Sequence, residues 1–367
     1  MGKMDESLTL GKYTQKEIFE IPSSLRKVIE QKKFFTNLAI KLVEKEIKHI
    51  FLIGAGSSYH AGFAMSYMFN RITKIPTFTE FSMEFQYLIK PILKEKDCVI
   101  GISQSGETKD TIESIKIAKD IGCLTIAITN NLNSTLPKIT DEVIELGCGS
   151  EISVLATKTY VTQLTVLSML SLELAQLNKS ITNEAYNKLW VELVGIPDKI
   201  NSSLPILHQK VKDSSNYFKF AKFCFILGSG PDYATAMEGS LKLKEGARIF
   251  GQAYSTAEFP HGPITLADSE TLIIAIIPQE KDNRRNRLMD LLARIKERNA
   301  TILAIYEPFE EPNPNPPFDI GLEMPNTSLD FQPIVMILAI QLLTLEIARV
   351  NGLNPDEPKF LSKVSNL

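Results

Sequence analysis

The sequence predicts an α/β chain of two tandem doubly wound parallel-sheet domains, with an N-terminal helical arm and a C-terminal tail. Three observations carry that prediction. Continuous apolar runs of strand length alternate with helical patterns, the mark of parallel sheets buried on both faces. The opening run of each half ends in Gly-x-Gly, and a helical pattern follows at once. The chain also matches itself at a shift of about 174 residues.

Taken in order, residues 1–40 form the arm, which reads as carrying one helix. The first domain, residues 41–180, opens with Ile50–Gly56, IFLIGAG. That run falls on Cys224–Gly230, CFILGSG, which opens the second domain, residues 215–353. Met83-Glu84-Phe85 falls on Ala257-Glu258-Phe259, and Cys98–Ser103 on Leu272–Ile277. CLTIAIT from Cys123 falls on ATILAIY from Ala300, and Glu142–Leu146 has its partner near Asp319–Glu323. Each half closes on a long apolar helix, around Val161–Leu174 and Pro333–Ala348. Both are interrupted by Gln, Glu and Thr, and read as core helices too short to span a bilayer. Residues 181–214 read as a helical linker, with Trp190, Leu193 and Val194 on an otherwise polar stretch. The run Pro312–Pro317 reads as a surface loop, and residues 354–367 as the tail.

Composition narrows the function classes. A chain of 367 residues, 44% hydrophobic and 23% charged, fits a soluble globular protein of two domains. With 40 basic against 43 acidic residues, it has no basic footprint for nucleic acid. The start, MGKMDESLTLGKY, lacks the apolar stretch of a signal peptide, and Glu6 does not fit a myristoylation site. A cytoplasmic protein that avoids membranes is expected. Four cysteines stand far apart without a CxxC pair and read as reduced core thiols. No His, Cys or acidic cluster has metal-ligand spacing, so no metal and no cofactor are expected; His49, His60 and His208 read as structural.

In open α/β sheets, ligands sit beyond the carboxyl ends of the strands. GAGSS (Gly54–Ser58) and SQSGET (Ser103–Thr108) fall there, on the first and third strand runs of one domain. A helix start offers unpaired N–H groups and the positive end of a dipole, Gly106 allows close approach, and the hydroxyls add neutral donors. The expected ligand is a phosphate, held without an essential Arg or Lys. The competing reading is that Ser105 merely caps the helix, with Glu107 and Asp110 favouring its first turn. A dinucleotide fits poorly, because GAGSSYHAG lacks the third glycine of the fingerprint. The second half has Ile277-Pro278-Gln279 where the hydroxyl loop should recur, so its phosphate site is expected to be lost. Glu238, Lys242 and Glu245 are spaced i, i+4, i+7 on one helix face; by spacing alone they form a solvent-exposed, salt-bridged stripe. By position alone, Lys363 is a solvated tail residue and His261 a loop histidine.

GAGSS, SQSGET, ATKTY (Ala156–Tyr160), EGSLKLKE (Glu238–Glu245), EFPHGP (Glu258–Pro263) and LSKV (Leu361–Val364) occur in that order. Together they resemble the tandem sugar-isomerase (SIS) domain family, in particular the isomerase portion of glucosamine-6-phosphate synthase and its deaminase relatives. The resemblance runs from YTQKEIFEIP, near Tyr13, to the last residues. It implies a sugar-phosphate substrate, and a homodimer with a shared active site. It assigns substrate binding to Gly56, Ser57, Ser58, Ser103, Gln104, Ser105, Thr108, Val154, Glu238 and Ser362. By the same resemblance, Glu245 is the catalytic base and Lys242 its neighbour in the catalytic set. Lys363 would form an imine with the ketose, and His261 would assist ring opening from the neighbouring subunit. The chemistry suits these types: a carboxylate moves a proton between C1 and C2, an imine acidifies that proton, and a histidine shuttles protons near neutral pH.

The chain departs from the synthase pattern. Residue 2 is Gly where the synthase glutaminase has its Cys nucleophile, and no glutaminase domain is expected here. The synthase-type Cys-Gly-Thr-Ser is Ala55-Gly56-Ser57-Ser58, and SVLATK and LSKV look closer to stand-alone deaminases. Glucosamine-6-phosphate deaminase, giving fructose 6-phosphate and ammonia, is therefore the leading expectation. The alternatives are an isomerising aminotransferase fed by external ammonia or a separate glutaminase chain, and a non-catalytic sugar-phosphate sensor.

Overall fold

Three helices precede the first strand of the computed structural model, which describes residues 10–278, 283–309 and 314–363. They are α1 (Lys12–Phe19), α2 (Ile21–Ile29) and α3 (Lys32–Glu44), where the sequence suggests one helix. Pro22 starts α2 in the first helical turn, where a missing N–H costs nothing, so the apolar periodicity runs on through a real break. The chain divides into two units, each built on one sheet. The first-sheet unit holds Glu20–Glu151, Ala156–Pro197 and Lys363. The second-sheet unit holds residues 10–19, Ile152–Leu155 and Asp198–Ser362.

The first sheet contains β1 (His49–Gly54), β2 (Thr77–Phe81), β3 (Asp97–Ile102), β4 (Leu124–Thr129) and β5 (Glu142–Glu145) in the order β2-β1-β3-β4-β5. Every pair is parallel. Between the strands run α4 (Ser57–Met68), a short α5 (Phe85–Leu88), α6 (Lys109–Ile121) and α7 (Thr135–Ile139). One face of the sheet packs Phe51, Ile53, Val99 and Ala127 against Phe85, Ile115 and Ala118. The helix closing this half, α8 (Lys158–Leu177), is buried along nearly its whole length. Its hydroxyls survive burial because Thr162, Thr165 and Ser168 each donate to the carbonyl four residues back, at 2.7, 2.9 and 2.8 Å.

The helix α9 (Asn183–Ser214) carries the chain on to β6 (Phe223–Gly228), α10 (Pro231–Lys242), β7 (Phe250–Ser255), β8 (Leu272–Ile276), α11 (Asn283–Lys296), β9 (Thr301–Tyr306), β10 (Ile320–Glu323) and α12 (Gln332–Val350). The second sheet repeats the first, β7-β6-β8-β9-β10, again all parallel. Its core joins Phe225, Leu227, Ile273 and Ala275 to Leu288, Leu292 and Ile295. Against expectation, α12 is long and apolar enough to cross a membrane, with 19 residues and a mean hydropathy of 1.8. Burial of 89% of that stretch explains the composition, which is that of a core helix.

The repeat extends to irregular features. Gly56 before α4 and Gly230 before α10 share the same unusual backbone, φ 53° and 60°. After both helices the winding loosens into a π turn, Phe69–Thr73 and Leu243–Ala247. Each turn ends on a non-glycine residue in the left-handed region, Lys74 at φ 59° and Arg248 at φ 55°. The four cysteines are buried and unpaired as disulfides. Desolvation pushes the thiols of Cys123, Cys148 and Cys224 up to about 12, and that of Cys98 higher still.

Within the second-sheet unit, residues 11–14 meet residues 354–356. The buried Asp356 carboxylate accepts hydrogen bonds from Tyr13 N (3.0 Å), Thr14 N (2.7 Å) and Thr14 Oγ1 (2.7 Å), capping the start of α1. Asn354 Oδ1 accepts from Gly11 N at 3.0 Å. From the other end of that helix, Glu17 accepts from the backbone amides of Ile152 and Ser153. Val154 N donates to Asp356 O at 3.1 Å. One short helix thus holds both the segment 152–155 and the tail. Asp356→Ala is expected to destabilise the protein by about 2 kcal/mol, from lost charge-assisted hydrogen bonds, read as a lower urea midpoint at unchanged m.

Candidate active site

The order β2-β1-β3 makes β1 and β3 neighbours whose crossovers leave in opposite directions, the arrangement that opens a crevice in a doubly wound sheet. Gly54 pairs with Ile102, so the loops after these strands emerge side by side. The first loop turns at Gly56 into α4, which begins at Ser57 with no side chain capping it. Ser58, buried, accepts a hydrogen bond from Gln163 Nε2 of α8 at 3.1 Å. Ser57 is half-buried.

The second loop is held by its own hydroxyls. Ser103 Oγ shares a 2.8 Å hydrogen bond with Thr108 Oγ1 and accepts from Gly106 N at 3.1 Å. Ser105 Oγ accepts from Glu107 N at 3.2 Å and lies 3.5 Å from Ser103 Oγ. The Gln104 carbonyl accepts from Asn130 N (3.1 Å) and Thr129 Oγ1 (3.3 Å), tying the loop to the end of β4. Gly106 sits at φ 68°, and a Cβ there would run into Ser134 Oγ, so glycine is required twice over. The capping reading does not hold. The helix α6 begins at Lys109, its cap position is Thr108, and no side chain caps it. Glu107 reaches Thr135 N (2.9 Å) and Thr135 Oγ1 (2.8 Å) at the start of α7 instead. Two helix starts without side-chain caps, with hydroxyls beside them, therefore follow neighbouring strands, an arrangement that suits an anion.

A residue not singled out by sequence lies in the same unit. Glu151 is buried, and its carboxylate accepts from Thr157 N (2.9 Å), Thr159 N (3.2 Å) and Thr159 Oγ1 (2.7 Å) at the start of α8. Lys363 Nζ donates to Glu151 Oε2 at 2.6 Å. The tail lysine is thus not a solvated residue: only 24% of its side chain is exposed. An acid standing a few residues before hydroxyls at a helix start is the signal that could have found Glu151. Its charge adds to desolvation in raising the neighbouring Cys148 thiol.

In the second-sheet unit, Lys242 is fully buried, with Nζ 2.6 Å from Glu245 and 3.4 Å from the fully buried Glu238. The exposed stripe suggested by spacing is an interior cluster instead. The helix α10 ends at Lys242, and the π turn places Glu245 beyond it. Glu245 is the accessible member, with 19% of its side chain exposed. It opens on a cavity of about 580 Å³ lined also by Leu10, Lys244, Arg248, Asn354 and Phe360. Lys244 donates to Ser240 Oγ at 2.8 Å, and partial desolvation lowers its pKa. Val154 is half-buried, Ser362 is exposed, and His261 sits exposed on a turn outside that cavity. Where the second sheet would repeat the hydroxyl loop, β8 leads into Ile277 and Pro278; Gln279 lies outside the described residues. Arg284 fills the elbow at Gly230, its Nη1 donating to Ser229 O at 2.6 Å.

A sequence profile described as "SIS domain" matches residues 45–172 and 218–309. The glutamine–fructose-6-phosphate aminotransferase (isomerizing) of Thermococcus kodakarensis is 32% identical over 365 residues, covering 98% of this chain and 59% of its own length. The chain thus spans about three fifths of the curated relatives it matches. The solved C-terminal domain of glucosamine-fructose-6-phosphate aminotransferase from Francisella tularensis superposes with a TM-score of 0.85 at 30% identity, covering 93% of this chain and 96% of that one. A glucosamine-6-phosphate deaminase from Thermotoga maritima superposes at 0.73 with 24% identity over 96% of this chain and 98% of its own, a likeness of fold alone.

The buried cluster yields a stability test. Lys242→Met is expected to cost about 3–5 kcal/mol, because the ammonium that offsets two carboxylates is gone. Glu238→Gln in the same background should recover part of that loss; both are read from denaturant midpoints.

Proposed function

Because the chain belongs to the SIS domain family, we propose that it interconverts an amino-sugar phosphate and a ketose phosphate, working as a glucosamine-6-phosphate deaminase. The observation that carries the reading is the pair of uncapped, hydroxyl-lined helix starts after β1 and β3. They suit a phosphate dianion, held by Ser57, Ser103, Gln104, Ser105 and Thr108 with neutral donors.

In this reading, Glu245 takes the proton from one carbon and returns it to the next, and Lys242 with Glu238 holds its carboxylate in place. Lys363 condenses with the ketose carbonyl, so that the adjacent proton is lost more easily. The histidine of ring opening is His261 of the partner subunit in a homodimer, and Val154 and Ser362 add contacts to the sugar. The second reading is ammonia-dependent synthesis of glucosamine 6-phosphate, with a separate glutaminase chain as a partner. It is favoured by the aminotransferase names of the curated relatives. A sugar-phosphate sensor would need neither Glu245 nor Lys363.

The deciding assay gives the protein glucosamine 6-phosphate and measures ammonia and fructose 6-phosphate. Deamination predicts both products. Turnover only in reverse, with ammonium or glutamine, favours the second reading, and no turnover with intact binding favours the sensor. Ser105→Ala should weaken sugar-phosphate binding by roughly 1–2 kcal/mol, and unchanged affinity would count against the phosphate assignment. Glu245→Gln should lower kcat by about 10²–10⁴-fold. Mixed with His261→Ala subunits, it should regain part of the activity, since one site of the mixed dimer keeps both residues.

A further inference from the structure

Lys363 reaches a carboxylate, Glu151, that no sequence motif marks as functional, and the manner of its holding is informative. Glu151 has no freedom to follow the tail: its Oε1 is fixed by the amides of Thr157 and Thr159, and its Oε2 by the Thr159 hydroxyl at 2.7 Å. These donors sit at the rigid, buried start of α8, whose dipole favours a negative charge there. The carboxylate is therefore the fixed partner, and the tail ammonium, 2.6 Å from Oε2, comes to it. A helix start that already has its hydrogen bonds from Glu151 needs no lysine for stability. Oε2, with one hydroxyl donor among the described residues, retains capacity to hold one.

Resting on the reading that Lys363 reacts with the ketose, we propose that Glu151 is a positioning residue for Lys363 and the acceptor of its proton. An ammonium cannot attack a carbonyl, so one N–H proton passes across the 2.6 Å contact to Oε2. The freed amine bonds to C2 of the open-chain ketose, the C2 oxygen leaves as water, and the proton returns to the imine nitrogen. Charge and atoms balance: ammonium and ketone become iminium and water, and the carboxylate is regenerated. Lys158, the next cation along, is engaged with Glu20 at 2.7 Å, so its charge is already countered. The neighbouring Cys148 stays a neutral thiol, with its pKa raised to about 12, and cannot serve as the proton acceptor.

The test is borohydride trapping with fructose 6-phosphate, followed by mass spectrometry of the peptide that contains Lys363. Wild type and Glu151→Gln are compared, since the amide keeps the shape and the Oε1 acceptor. The expected result is an adduct on Lys363 in wild type, formed about 100-fold more slowly in Glu151→Gln. KM should stay within about threefold and the melting temperature should hold, separating loss of chemistry from loss of structure. Glu151→Asp, which restores the charge at a shorter reach, should recover part of the trapping rate. Should Glu151→Gln not fold, Thr159→Val replaces it, removing the hydroxyl that aims Oε2 and slowing trapping by about tenfold. Equal trapping rates in wild type and variant overturn the role of Glu151 alone. No adduct in wild type overturns the imine reading of Lys363, and the role of Glu151 falls with it.

Discussion

In both sheets every neighbouring pair of strands runs parallel, and that single constraint organises the rest of the chain. A parallel strand cannot turn straight back into its neighbour; each connection must cross a face of the sheet, and the crossing is made by a helix. The strands are then buried on both sides, which explains their unbroken apolar runs and the saturated burial of α8 and α12. The same rule sends every strand-to-helix loop to one edge. Two helix starts face the same space there only where the crossovers diverge, between β1 and β3, and that is where the hydroxyl loops fall.

The two copies have kept this frame and divided the polar chemistry. The first has Ser103, Ser105 and Thr108 after its central strand; the second has Ile277 and Pro278. The second has the buried Glu238–Lys242–Glu245 cluster, and the positions matching it in the first copy are Ala64, Met68 and Arg71. At the Gly230 elbow, the Arg284 side chain fills the space and donates to Ser229 O.

Much of this could be read from residues before any coordinates. The central strands announced themselves because parallel sheets demand long apolar runs, and GAGSS and SQSGET could be placed at their carboxyl ends from order alone. The edge strands β2 and β7 were harder, because most of their residues are not fully buried and the apolar run is diluted. The state of charged residues was not legible either. Spacing puts Lys242 and Glu245 on a common helix face but does not say whether that face meets water. Position puts Lys363 in a tail but says nothing of Glu151, far away in sequence, to which it is bound. Burial of a charge depends on partners brought in by tertiary structure, and local pattern is blind to them. The segmentation of the arm into three helices escaped for a related reason: the apolar stripe continues where the backbone breaks.

The loosened turn after α10 carries Glu245, and a π turn beside reactive residues invites the view that it was inserted for catalysis. Its twin after α4 argues otherwise. The same widening, with the same left-handed exit, stands at the corresponding place in the first copy, where it carries Arg71 and no acidic cluster. Two copies of one irregularity are more simply inherited than twice invented. The loosened turn therefore belongs to the frame that the two copies share, and not to the acidic cluster alone. Glu245 stands on a kink that the frame itself supplies.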